Sequence, residues 1–129
     1  MWFGWPLARV LYLFLGIAFL AVFVQVTLFH LRQNFYHPSQ WLPVVVTPVL
    51  GITALLLAWR VLPLERAALT LFAIFGIGIG LVGTYYHVVG TGQRVGGYSL
   101  NNFMVGPPPM LPLLVIALSA LSLVVLHGI

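Results

Sequence analysis

Residues 84–110 read TYYHVVGTGQRVGGYSLNNFMVGPPPM, the only long polar-capable segment in a chain that is otherwise almost continuous hydrocarbon. The segment holds His87, Arg94, the adjacent Asn101 and Asn102, three Tyr, five Gly and three consecutive Pro. A connection of this length without its own secondary structure is uncommon unless it is functional or disordered. Its aromatic, Gly and Pro content points to a shaped, docked loop, because a disordered linker is poor in aromatics. What lies on either side of that loop decides the fold.

Both flanks are apolar. Of 129 residues, 62% are hydrophobic and only 5% charged, and the mean hydropathy is +1.13. A soluble domain carries roughly 25% charged residues. Five arginines and the single acid Glu65 are too few to cover a water-facing surface, so lipid is the solvent for most of the chain. Outward from the loop, apolar runs at about 67–89 and 111–126, and before them at about 10–29 and 42–59, approach or exceed the length needed to cross roughly 30 Å of hydrocarbon. The reading is an all-α integral membrane protein, one domain of four transmembrane helices in a small bundle. A structured, Gly/Pro-rich outer loop joins helices 3 and 4. Loops 30–41 and 90–110 fall on one face and 60–66 on the other.

The first run is expected to be a retained helix, since no charged segment precedes it and it is long enough to span. Trp2 and Trp5 suit the headgroup level, and Pro6 suits a first helical turn. Gln25 is the one strongly polar residue of that run and is expected to hydrogen-bond to another helix inside the bundle. Pro43 fits the first turn of the second helix, whereas Pro48 is deep enough to kink it or delay its start. Gly76 and Gly80 of the third helix form a small-xxx-small pair that allows a neighbouring backbone to approach closely.

The formal charge is +4 and the pI about 10.2, but the arginines make no patch or run, which a nucleic-acid footprint requires. They read instead as membrane anchors. Arg9, Arg60 and Arg66 lie on the side of the termini, and Arg32 and Arg94 on the other. Positive charge favours the cytoplasmic side, so the expected topology has both termini in the cytoplasm of a bacterial membrane. With no cysteine, disulfides, thiolate metal sites, iron–sulfur clusters and covalent haem attachment are excluded on this chain.

This topology collects the chemistry-bearing residues on the loop face: His30, Arg32, His37, His87 and Arg94, with Tyr36, Tyr85, Tyr86, Tyr98 and the asparagines. Counting back from His87 by helical steps gives Gly83 or Thr84, Gly80 and Gly76, so His87 ends the small-residue stripe. His30 ends a stripe of Thr27, Phe23, Phe19 and Gly16. Two histidines at similar depth on different helices suit axial ligation of haem b, with Arg32 or Arg94 on the propionates. A quinone headgroup is an alternative ligand, with His87, Tyr86 or Arg94 donating. A three-imidazole metal site from His30, His37 and His87 is the weaker option: no pair has i, i+4 spacing and Pro38 interrupts any helix past His37.

Autonomous catalysis is disfavoured. One acid cannot pair with another, no Cys is present, and GTGQRVGG lacks the Gly-Lys-Ser/Thr ending and preceding strand of a phosphate loop. The leading expectation is therefore an accessory subunit that docks to and stabilises a larger membrane complex of the respiratory or photosynthetic electron-transfer kind. Gly76, Gly80, Tyr86, Tyr98, Asn101 and Asn102 are the expected partner contacts. The alternatives are a cofactor-binding redox protein using His30 and His87, and a self-assembling scaffold or channel. Membrane lipid is an expected partner throughout.

Overall fold

The computed structural model describes residues 4–129, so Trp2 lies outside the described residues. Four helices are long and apolar enough to cross a membrane. They are α1 (Leu7–Arg32), α2 (Trp41–Trp59), α3 (Pro63–Gly90) and α5 (Met110–Gly128), with the short α4 (Leu100–Val105) between the last two. No strand occurs among the described residues. The fold is the all-α membrane bundle that composition demands, since in hydrocarbon every backbone N–H and C=O must find its partner within the segment.

The helices run further than the apolar runs. Pro63 takes the first helical position, where its missing N–H costs nothing and its φ is already helical. Glu65 and Arg66 therefore belong to the first turn of α3 and not to a turn before it, which leaves only residues 60–62 between α2 and α3. Glu65 is well placed there, because an acid near a helix N-terminus opposes the macrodipole. At the other end, α3 continues from Gly90 as one wide π-helical turn, Thr91–Val95. Gly96 and Gly97, at φ 98° and 136°, then stop it. Much of the expected loop at 90–110 is thus helical. Pro48 lies inside α2 and neither ends it nor delays its start.

The long helices pack in the cyclic order α1–α2–α3–α5, which leaves α1 and α3 on a diagonal. Two glycine crossings set the spacing. On one side Gly16 of α1 meets Gly51 of α2: a Cβ on Gly16 would lie 3.0 Å from the Gly51 carbonyl oxygen, and a Cβ on Gly51 would lie 3.1 Å from that of Gly16. On the other side Gly76 receives the Ser119 side chain, and a Cβ on Gly80 would overlap Ile116 and lie 2.8 Å from the Pro112 oxygen. Between these crossings Leu15, Phe19, Leu50, Leu57, Leu69 and Val125 are fully buried. Outward-facing Phe14, Ile17, Val24, Leu28, Ile52, Ile74, Phe75 and Leu81 are exposed, as lipid-facing residues are.

Threonines and one serine satisfy themselves. Thr27, Thr47, Thr53, Thr70, Thr84 and Ser122 each donate to the carbonyl four residues back, at 2.6–2.9 Å. That pattern lets a hydroxyl reside in an apolar bundle without a ligand.

The end of the bundle carrying the 60–62 turn is held by arginines. The Arg9 Nε donates to the Ala58 oxygen at 2.8 Å, its guanidinium 3.9 Å from the Trp5 ring centroid. The Arg66 Nη2 donates to the Leu126 oxygen at 2.6 Å. Each joins a helix start to the last turn of a neighbour, where carbonyls lack helical donors and the macrodipole is negative.

Candidate functional site

The opposite end, where the connections 33–40 and 91–109 meet, is the candidate site. His30 lies in the last turn of α1 with 7% of its surface exposed. His87 lies in the last turn of α3 and is half-buried. Because α1 and α3 are diagonal, both imidazoles converge from opposite corners. The Phe29 ring lies against both, 5.7 Å from the His30 ring centroid and 5.9 Å from that of His87.

The two histidines differ in their partners. The His87 Nδ1 is 2.7 Å from the Pro108 oxygen. A carbonyl only accepts, so Nδ1 carries the hydrogen and Nε2 keeps the lone pair. This bond also fastens the triple-proline strap to α3. The His30 Nδ1 is buried and has no hydrogen-bond partner. A buried, unpaired polar atom is costly, and in a native site it calls for an explanation such as a bound group.

The loops around the pair are tied internally. Gln33, Asn34 and Phe35 return their N–H groups to the His30 and Leu31 carbonyls at 3.0–3.1 Å. Asn34 and Phe35 adopt φ of 57° and 46°. Asn tolerates this region, but for Phe it is strained, and the stack of Phe35 on Trp41, with ring centroids 4.0 Å apart, offsets the cost. Ser39 donates its N–H to the His37 Nδ1 at 3.2 Å, with its hydroxyl 2.7 Å from the same atom. On the second loop, Ser99 caps α4 through the Asn102 N–H at 3.2 Å, and the Asn102 Nδ2 donates to the Gly97 oxygen at 3.1 Å. Tyr98 lies on Gly92, where any Cβ would overlap its ring. The two loops meet where the Arg94 guanidinium lies 4.5 Å from the Tyr36 ring centroid, a cation–π contact.

The sequence-derived residues divide accordingly. His30 and His87 are brought to one place. The His37 Nδ1 is engaged by Ser39 and its ring centroid lies 6.0 Å from that of Tyr86, and no cluster of three metal-ligating side chains forms among the described residues. Arg94 bridges the loops through Tyr36, and Arg32 is exposed. The expectation that Gly76 and Gly80 face a partner is corrected: both are buried against α5 of the same chain. Asn102 is half-buried and spent on the loop backbone, while Tyr86, Tyr98 and Asn101 are exposed. Gln25 is also corrected. It faces outward instead of bonding inside the bundle.

Sequence reasoning missed Phe29 as the ring shared by both histidines, the Phe35–Trp41 stack, and the Gly16–Gly51 crossing. Lone glycines in two adjacent spans were the available signal for the last. A direct test of the strap is His87→Phe, which keeps an aromatic ring and removes the donor to Pro108. Hydrogen exchange at the Gly106 amide, which donates to the Asn102 oxygen at 2.8 Å, is expected to rise about tenfold, the equivalent of one hydrogen bond of about 1.4 kcal/mol; unchanged exchange would show that the bond does not hold the strap. Comparison with protein-family models, curated proteins and solved structures finds no match.

Proposed function

We propose that this chain is a small integral-membrane subunit that docks through its loop end onto a larger membrane complex and stabilises it. One observation carries the reading: the loop end is tied down from within yet presents large apolar side chains outward. Leu100, Met104 and Val105 of α4 are 78%, 75% and 69% exposed. They follow one another at helical spacing on an element held by a cap, an Asn102 bridge and its two flanking glycine turns. A rigid surface loses little entropy on docking, and a patch of this kind marks an interaction site. No pair of carboxylates and no nucleophile with its base stands nearby.

The proposed setting is a bacterial cytoplasmic membrane with both termini inside, supported by the excess of Arg9, Arg60 and Arg66 at the terminal end. Electron-transfer assemblies are the partner class to test first. A second reading is favoured by the unpartnered His30 nitrogen: a cofactor at the His30–His87 end. A quinone carbonyl needs only one protonated imidazole nitrogen, whereas haem b gripped by both imidazoles competes with the Phe29 ring for space.

The test is gentle extraction from the native membrane, followed by native sizing, mass spectrometry of the band, and spectra before and after dithionite. The expected band contains larger subunits and loses this chain when Leu100→Ser and Met104→Ser are combined, with affinity down at least about tenfold. A chain that migrates alone would overturn the docking role. A Soret band that follows the isolated chain and vanishes in His87→Ala would install the haem reading in its place.

A further inference from the structure

Gln25 is a polar residue of α1 that the bundle leaves on its outer surface. It lies seven residues before the end of α1 at Arg32, roughly 10 Å along the helix axis and so inside the hydrocarbon. Its side chain is exposed and makes no hydrogen bond among the described residues. The threonines of the long helices and Ser122 return their hydroxyls to their own helix, and Ser119 is buried. Gln25 alone presents an amide, with two donors and an acceptor, to lipid that can answer neither.

Around it the surface is recessed. Phe14, Ala18, Ala21 and Gln25 of α1 and Leu111, Leu114 and Leu118 of α5 line an open groove of about 370 Å³. The two alanines leave the α1 backbone close to whatever fills the groove. The amide calls for an occupant that offers both a donor and an acceptor at this depth, and a second copy inserted in the same sense supplies both. A two-fold axis along the membrane normal therefore brings the two amides together, and each donates to the other's carbonyl. A carboxamide is self-complementary in this way, and a two-fold interface requires such self-complementarity.

We infer that the α1–α5 groove is a homodimer interface centred on a reciprocal Gln25–Gln25 hydrogen-bonded pair within the bilayer. This surface is separate from the loop end, so the chain enters any larger complex as a dimer, and the inference stands whether or not the loop-end docking holds.

The chain contains no cysteine, so one introduced thiol reports on one surface. Ala21→Cys lies in the groove, and Ile74→Cys, on the exposed face of α3, is the control. Oxidative crosslinking is carried out in native membranes and read by non-reducing gel. Ala21→Cys is expected to give a band at twice the 14.2 kDa chain mass, and Ile74→Cys none. Adding Gln25→Leu to Ala21→Cys should lower the crosslinked fraction at least tenfold, and Gln25→Asn should restore part of it. Gln25 faces outward, so Gln25→Leu leaves the fold intact, which the monomer's own thermal unfolding in detergent verifies. Absence of the dimer band, equal crosslinking by Ile74→Cys, or a dimer indifferent to Gln25→Leu overturns the inference. So does crosslinking of Ala21→Cys only to a different polypeptide, which would assign the groove to another subunit. The Leu100→Ser, Met104→Ser double variant should leave the crosslink unchanged, which separates failure of this interface from failure of loop-end docking.

Discussion

Gly80→Val is expected to destabilise the bundle by about 3 kcal/mol, the upper end of what overpacking costs a well-filled interior. The reason lies in what the new side chain would meet. A Cβ at Gly80 overlaps the Ile116 side chain and falls 2.8 Å from the Pro112 oxygen and 3.2 Å from the Ile116 nitrogen. A flexible side chain can swing away, but α5 backbone atoms yield only if the helices part. Parting them withdraws the contacts around Gly76, Ser119 and Val115. Unfolding by a denaturing detergent titration, with helicity as readout, measures the change. Gly78→Val is the matched control, because nothing lies within 4 Å of a Cβ there. Its helix propensity differs only slightly from that of glycine, so stability should hardly move. Equal losses at Gly78 and Gly80 would mean that the α3–α5 contact does not limit stability.

Arg66→Met is expected to cost about 2 kcal/mol, within the range for a hydrogen bond from a charged donor. The guanidinium donates to the Leu126 oxygen at 2.6 Å. One side chain in the first turn of α3 thus holds the last turn of α5. Methionine keeps the length and apolar stem but loses this bond. Arg66→Lys retains the charge near the α5 C-terminus and should recover about half the loss, because a single ammonium does not reproduce the planar fork. The same detergent titration reads both variants. If Arg66→Met is neutral, the arginine serves only as a membrane anchor.

These two residues show how much was legible beforehand. Gly76 and Gly80 could be marked as a close-approach pair from their spacing alone, but not the helix that approaches. Spacing describes one helix surface, and the answering residues, Ser119, Ile116 and Pro112, lie more than thirty positions away. The same gap explains the reassignment from partner contact to internal packing. Arg66 could be counted toward charge bias, yet its capping of α5 depends on which helix ends next to α3. Gln25 was misplaced for a related reason. On a helix whose every face is apolar, hydropathy has no direction, since lipid and core are equally hydrocarbon. A residue's side is then set by size and fit, which only the packed bundle expresses.

The candidate site was legible to a similar depth. That His30 and His87 occupy helix ends on one side follows from span lengths and alternating direction. That α1 and α3 are diagonal, so that both rings reach Phe29, follows from the packing order. Pro108 could not be foreseen as the partner of His87, because a proline strap has no periodicity from which its course can be read. The extension of α3 to Val95 was hidden by two glycines, Gly90 and Gly92, that read as loop but are tolerated in a helix. The stop comes at Gly96 and Gly97, where positive φ is required.

Sequence by itself determined the solvent, the helix count and the alternation of ends, because the absence of charge in long runs leaves lipid and intrahelical hydrogen bonding as the sole stable answer. Tertiary structure alone decided which faces meet, which histidine nitrogen is left unpaired, and that Gln25 looks outward. Those are matters of shape between residues far apart in the chain, and an all-apolar helix carries no local signal of them.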